Sequence, residues 1–272
     1  MAITHLMIGA GKMGGALLSG WLDSGIIVPK QLAILDPQPG TAAMAAVAKG
    51  SLHLKSAEDI PASIETVLLA IKPQMFDRLA PALSQHLPKD ARIISILAGS
   101  SLRHLSKGLD DRKIIRAMPN TPAAIGAGIS AIFADPKLDI GDIETAETLL
   151  AAGGKVVRVD SEAALNAVTA LSGSGPAYVF YLTEAMAAAG ARLGLPEDIA
   201  GQLARETVIG AGKLMDSSDE TPETLRRNVT SPNGTTQAAL DELMSDTGLG
   251  PLMQRAIRAA FARAKALSGI VR

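Results

Sequence analysis

Ile3-Thr4-His5-Leu6-Met7-Ile8-Gly9-Ala10-Gly11-Lys12-Met13-Gly14 begins as an apolar run, passes through a G-x-G-x-x-G spacing and enters a helical pattern that reaches about residue 24. The spacing alone is a weak signal. An apolar strand before it and a helix after it make it the turn that cradles a dinucleotide. Gly9 permits the tight turn, Gly11 removes a side chain where a pyrophosphate would approach, and Gly14 lets helix and strand pack closely. Unpaired N–H groups at the helix start, around Lys12 and Met13, would face the phosphates. The alternative is a structural turn that binds nothing.

Outward from this turn, short apolar runs alternate with helical patterns. Residues 31–36, 66–71, 92–97, 113–117, 128–133 and 155–159 read as strands, and residues 41–49 as a helix. Such alternation implies a parallel, doubly wound sheet. Beyond residue 160 strand signals stop, and helical patterns fill 162–190, 196–215, 222–227, 235–245 and 249–267. The expected fold is a Rossmann-type α/β dinucleotide-binding domain (1–160) followed by an all-α domain (161–272), to which the resemblance given below assigns dimerisation and substrate binding.

Composition narrows the classes. A chain of 272 residues with formal net charge −1 and dispersed Lys and Arg lacks the basic footprint of a nucleic-acid binder. With no cysteine, disulfides, zinc ribbons and thiolate catalysis are excluded, and a reducing compartment is suited. The N-terminal apolar run is broken by glycines and lacks a basic leader, and no apolar stretch is long enough to span a bilayer. The expectation is a cytoplasmic protein with no membrane partner. Small-residue-rich helices and an aromatic content of 3% suit closely packed, interlocking bundles.

Further candidate cofactor contacts lie at strand ends, where ligands bind in open parallel sheets. Asp36, ending the second strand, would accept hydrogen bonds from both hydroxyls of an adenosine ribose and repel a 2′-phosphate. With no Lys or Arg in the next several positions, this favours NADH over NADPH. Asp36 equally suits a turn opened with Pro37. In Ala70-Ile71-Lys72-Pro73, Lys72 fits a ribose contact, a substrate carboxylate contact or an ordinary solvated lysine. Ala98-Gly99 closes the next strand, and Met118-Pro119-Asn120-Thr121-Pro122 follows another as a rigid loop. That loop either floors a nicotinamide pocket or braces the fold.

All four histidines, His5, His53, His86 and His104, lie in the first half, and their spacing resembles no metal site. Proton handling in the helical half therefore falls to hydroxyls, carboxylates, Lys, Arg or water. Leu171-Ser172-Gly173-Ser174-Gly175-Pro176-Ala177-Tyr178 interrupts a helix, Pro176 forcing a kink. It marks a helix crossing or, with Ser172 and Ser174, a pocket wall. Arg227 to Leu240 contains Ser231-Pro232-Asn233-Gly234-Thr235-Thr236-Gln237. Gly234 and Asn233 tolerate unusual backbone angles, and the helix starting at Thr235 offers N–H groups and hydroxyls to a carboxylate. An ordinary helix cap explains the same residues equally well.

Taken together, residues 9–14, 118–122, 171–178 and 227–240 resemble pyrroline-5-carboxylate reductase, the last enzyme of proline biosynthesis, over essentially the whole chain. The resemblance implies NAD(P)H as reductant and homodimers formed through the helical domain, assembled into decamers in some members. It implies substrate binding by Ser231, Asn233, Gly234, Thr235 and Thr236. Backbone N–H groups of Gly234 and Thr235 would hold the carboxylate, and Thr236 would be the catalytic hydroxyl on the ring nitrogen. One departure stands out. The family usually reads Ser-Pro-Gly-Gly where this chain has Asn233 before Gly234.

Two rivals differ in chemistry. One is a related reductase acting on another cyclic imine or a β-hydroxyacid. Hydroxyacid dehydrogenases of similar build place a lysine on a long helix of the second domain. Lys213 is the only candidate before residue 231, and its surroundings resemble pyrroline-5-carboxylate reductase instead. A nucleotide-sensing protein would keep the α/β domain without catalysis.

Overall fold

The computed structural model describes residues 1–269. In chain order the first part contains β1 (His5–Ile8), α1 (Lys12–Asp23), β2 (Leu32–Leu35), α2 (Thr41–Ala48), β3 (Leu52–Leu54), β4 (Thr66–Leu69), α3 (Phe76–His86) and β5 (Arg92–Ser95). It continues with α4 (Leu102–Gly108), β6 (Ile114–Met118), β7 (Gly128–Ala134), α5 (Ile140–Ala151), β8 (Gly154–Arg158) and α6 (Ala164–Val168). The helical part contains α7 (Gly175–Arg192), α8 (Glu197–Asp216), α9 (Pro222–Asn228), α10 (Thr235–Leu243) and α11 (Leu249–Ser268).

The strands form one sheet in the order β3-β2-β1-β4-β5-β6-β7-β8. Both faces are buried, so the strands are apolar throughout rather than alternating with polar residues. Leu6, Ile8, Val67, Leu69 and Ile93 face Phe76, Leu83 and Leu105 of α3 and α4. Met7, Ile34, Leu68 and Ile94 face Leu17, Trp21, Ala43 and Leu149 of α1, α2 and α5. The Trp21 indole donates to the Leu149 carbonyl at 2.7 Å, tying α1 to α5. The strand order reverses between β1 and β4, which opens the crevice that positions the first site.

Two details depart from expectation. The sheet is not wholly parallel, since β7 runs antiparallel to β6 and β8 is parallel to β7. The β6–β7 connection contains only a short 3₁₀ turn, Thr121–Ile125, too little chain for a parallel crossover. The edge strand β3 was not read from the sequence, because three residues with an exposed Leu52 carry no period.

Contacts divide the chain into two compact units, Met1–Ser174 with the chain from Ala260, and Gly175–Ala259. The composition changes at residue 160, yet α6 still belongs to the first unit. Leu165 packs with Met118 and Ala131 of β6 and β7. The C-terminal part of α11 also returns to the first unit, where the Leu267 backbone lies so close to Gly99 that an added Cβ would stand 3.0 Å from its carbonyl oxygen. Gly99 has φ +73°, so both backbone conformation and space exclude a side chain there.

The helix break near Pro176 arises differently from the expected proline kink. Thr169–Gly173 forms a wide π turn in which the Ser174 N–H reaches the Thr169 carbonyl at 2.9 Å. Pro176 then sits in the first turn of α7, where its missing N–H costs no helical bond. The Ser172 hydroxyl donates to the Val168 carbonyl at 3.2 Å, within its own helix.

In the second unit, Gly190 of α7 lets the helix approach Ala200 of α8 and Leu195 before it. The helices otherwise bury little: α7, α9 and α10 contain no buried residue, and α8 only Ala200 and Ala204.

Candidate active site

The three motif glycines are required for three different reasons. Gly9 has φ +85°, and a Cβ there would stand 2.8 Å from the Ala70 carbonyl oxygen. At Gly14 a Cβ would collide with the Gly9 carbonyl at 2.4 Å. At Gly11 nothing lies within 4 Å of the Cβ position, so no packing within the chain demands glycine. Open space beside the start of α1 is what a pyrophosphate needs. No side chain caps α1, and no acidic residue occupies its first turn, so its leading N–H groups remain directed outward. These residues fit a dinucleotide.

Beside this turn lies a cavity of ≈ 630 Å³ lined by Gly9, Gly11, Asp36, Ala70 and Lys72 among the expected residues. Asp36 is half-buried there, Oδ2 accepting the Ala10 N–H at 2.7 Å and Oδ1 the Gln38 N–H at 2.8 Å. Both readings of this residue are thus visible, a wall of the cavity and the opening of a turn. Lys12 lies in a neighbouring shallow groove with Ala10, Gly40 and Thr41. Met13 and Gly14 are in the first turn of α1, and Pro73 opens a 3₁₀ turn after Lys72.

Ala98, Gly99 and Asn120 lie past the ends of β5 and β6 and do not line this cavity. Asn120 Oδ1 accepts the Ile129 N–H at 2.9 Å, bracing the β6–β7 connection. Sequence reasoning missed Lys55, Ser56 and Arg78, which line the cavity from the end of β3 and from α3. Lys55 and Ser56 follow a strand too short to recognise, and Arg78 lies in α3 past Lys72-Pro73, where nothing local marks it.

In the second unit, residues 231–234 form a turn closed by the Gly234 N–H on the Ser231 carbonyl at 3.0 Å. Asn233, with φ +58°, takes the left-handed position. A positive φ at the third position is that of a type II turn, and Pro232 suits the second. Gly234 itself is extended, with φ −83°. It was expected to supply unusual backbone angles, but it supplies space: a Cβ there would clash with the Ser231 hydroxyl. Asn233 alone carries the unusual angle.

α10 begins at Thr235 with Gly234 as its cap residue and no side-chain cap. The helix-cap explanation of Asn233 and Thr235 therefore fails, and the leading N–H groups stay open to an anion. Thr236 is half-buried in this first turn. Upstream, the Thr230 hydroxyl donates to the Arg226 carbonyl at 2.6 Å, and the Asn228 amide donates to Glu220 at 3.0 Å, fixing the approach to the turn.

A glycine turn beside a crevice at the switch point of a doubly wound sheet, and an uncapped helix start in a helical unit, fit a nicotinamide-dinucleotide-dependent oxidoreductase. Comparison with known proteins narrows the class. Residues 162–267 match the family model for pyrroline-5-carboxylate reductase dimerisation, and residues 6–99 match that of NADP oxidoreductase, coenzyme F420-dependent. The chain is similar to pyrroline-5-carboxylate reductase of Synechocystis sp., with 37% identity covering 98% of this chain and 99% of that one. Among solved structures it is similar to pyrroline-5-carboxylate reductase from Coxiella burnetii (31% identity, TM-score 0.90, 98% and 99% covered). It is also similar to that of Plasmodium falciparum with NADP bound (25% identity, TM-score 0.83, 98% of each chain). The chain belongs to the pyrroline-5-carboxylate reductase family.

Proposed function

We propose that residues 1–160 hold the dinucleotide, and that residues 161–272 hold the substrate and form the homodimer, with Thr236 as the catalytic hydroxyl. The enzyme reduces the C=N bond of 1-pyrroline-5-carboxylate to give L-proline. A bound reduced nicotinamide supplies the hydride that reaches the imine carbon. The chain's own residues bind and orient. N–H groups of Lys12, Met13 and Gly14 take the pyrophosphate, and strand-end residues Ala70, Lys72, Pro73, Ala98, Gly99 and Asn120 shape the cofactor's bed. The Thr235 N–H at the open start of α10 takes the substrate carboxylate. The Gly234 N–H expected to share that role is spent on the Ser231 carbonyl, and Ser231, Asn233 and Gly234 form the turn around the carboxylate.

Thr236 Oγ1 hydrogen-bonds the ring nitrogen. Threonine is too weak an acid to protonate it, so the proton arrives from water or on an already protonated imine. Much of the rate then comes from placement. The observation that carries this reading is the uncapped start of α10 behind the left-handed Asn233. A spectrophotometric assay with 1-pyrroline-5-carboxylate and each cofactor tests it. Oxidation of neither NADH nor NADPH, while another cyclic imine is reduced, would move the chain to that substrate.

On Asp36 we favour NADH. Lys55 and Arg78 in the same cavity pull the other way, since cations there would offset the repulsion of a 2′-phosphate. The ratio of kcat/KM for the two cofactors decides between them. Dimerisation is supported by the apolar residues that the second unit leaves exposed in the single chain, Phe180 at 63%, Tyr181 at 71% and Leu203 at 53%. Sedimentation gives the mass and separates a dimer from a decamer. No described helix is long and apolar enough to cross a membrane. A cysteine-free chain suits a reducing compartment, and cell fractionation tests a cytoplasmic location.

A further inference from the structure

Arg116 of β6 is the buried charge for which the reaction has no use. Its side chain is 4% exposed, and Nη1 donates to Glu162 Oε1 at 2.9 Å. Burial lowers the guanidinium pKa, and Glu162 works against that shift. The same Glu162 oxygen accepts the Leu102 backbone N–H at 2.5 Å. Leu102 is the first residue of α4, immediately after the loop that leaves β5 through Ala98 and Gly99. The Ser101 hydroxyl, accepting the His104 N–H at 3.2 Å, leaves the Leu102 N–H for another acceptor. Glu162, a residue from beyond β8, therefore caps a helix sixty positions earlier in the chain, and Arg116 holds its carboxylate in place.

We propose that Glu162 is a positioning residue for cofactor binding: anchored by Arg116, it fixes residues 98–101 through the Leu102 amide. Ser100 is buried, and the Ser101 carbonyl accepts the Leu105 N–H at 2.9 Å, so the loop runs straight into α4. Gly99 occupies a left-handed conformation close to the Leu267 backbone, and the Glu162 cap on Leu102 holds the point where the loop enters α4. A carboxylate accepting a helix-start N–H and a guanidinium N–H makes two charge-assisted bonds, the stronger kind. The proposal rests on the reading that Ala98 and Gly99 touch the cofactor.

The test avoids stranding a buried charge. The paired variant Arg116→Leu with Glu162→Leu removes both ions, a replacement that folded proteins tolerate well. Arg116→Leu with Glu162→Gln keeps a neutral acceptor for Leu102 and likewise strands no charge. Dissociation constants for NADH and NADPH are read from nicotinamide fluorescence, and KM for 1-pyrroline-5-carboxylate is read at saturating cofactor. We expect the paired variant to weaken both cofactors about tenfold, as loss of a charge-assisted bond would. The substrate KM stays unchanged, and Arg116→Leu with Glu162→Gln returns cofactor binding to within about threefold of wild type.

A folded paired variant with wild-type cofactor binding overturns the proposal. So does a parallel rise in cofactor Kd and substrate KM, which marks general loosening. Hydrogen exchange of wild type with and without cofactor separates the two layers of the argument. Unchanged protection at residues 98–101 removes the loop from the cofactor site. Protection there, with a silent paired variant, removes Glu162 alone.

Discussion

The Asp36 carboxylate accepts the Ala10 backbone N–H at 2.7 Å, joining the end of β2 to the glycine turn after β1. Its other oxygen accepts the Gln38 N–H. One side chain therefore shapes both the turn and the wall of the nucleotide cavity. Asp36→Ser should lower stability by about 1–3 kcal/mol through the unmet Ala10 N–H. It should also raise the NADPH/NADH ratio of kcat/KM about tenfold by removing a negative charge from the ribose. Steady-state kinetics with both cofactors checks it. An unchanged ratio would leave Asp36 as a turn residue only.

Thr236→Ala removes one hydroxyl from the first turn of α10 and leaves the backbone N–H groups in place. We expect kcat/KM for 1-pyrroline-5-carboxylate to fall about ten- to hundredfold, the range of one hydrogen bond to a charged group. Cofactor affinity should stay at the wild-type value. Equal kcat/KM in the variant removes Thr236 from the mechanism.

Gly234 and Asn233 separate space from backbone angle. Gly234→Ala must displace the Ser231 hydroxyl, so the substrate KM should rise at least about tenfold with the turn distorted. Asn233→Gly relieves a left-handed non-glycine but adds freedom to the unfolded chain, two effects of about 1 kcal/mol that oppose each other. Its Tm should stay within about 3 °C. Any change in substrate KM then reports the Asn233 amide itself.

Asp142 is 4% exposed and accepts Arg92 Nε at 2.8 Å and Lys113 Nζ at 2.7 Å. Burial pushes its carboxyl pKa upward, but Lys113 and Arg92 outweigh that, and the net shift is downward from 3.8. A depressed carboxyl stabilises the fold above its unfolded pKa, and the contribution is lost as pH falls through the folded value. Asp142→Asn should therefore lower Tm at pH 7 and flatten the loss of stability below about pH 4. Complete removal in Asp142→Ala should cost about 2 kcal/mol, less than the roughly 3–5 kcal/mol of a fully buried pair. The discount follows from Lys113 being 40% exposed. Thermal melts between pH 3 and pH 7 read both effects. Parallel curves for Asp142→Asn and wild type would refute the linkage.

The exposed residues of α7 give the oligomer prediction. Phe180→Asp with Tyr181→Asp places charges on a face that the single chain leaves open. We expect the mass in sedimentation to fall to that of the monomer, with nucleotide affinity retained. A dimer that survives both substitutions would place the interface elsewhere.

The glycine turn, the alternation of strands and helices, and the switch to helices alone were legible because each is a local pattern. Gly9 and Gly14 announce a turn and a close approach through their neighbours in sequence, and α8 to α11 begin and end within two residues of where periodicity places them, whereas the helix expected over 162–190 is split into α6, a π turn and α7. The sequence also determined that residues 231–234 form a turn, since Pro-Asn-Gly is turn chemistry, but the structure decided that Asn233 rather than Gly234 takes the left-handed angle. Other features depend on which chain segments meet, and periodicity says nothing of that. Only the tertiary structure turned β7 and β8 against the other strands and brought Lys55 and Arg78 to the nucleotide cavity. Only it set Leu267 over Gly99 and placed Glu162 on the first amide of α4. Gly234 shows the boundary most sharply. Its identity was readable, but its reason is the Ser231 hydroxyl lying across it, a contact that exists only once the turn has closed.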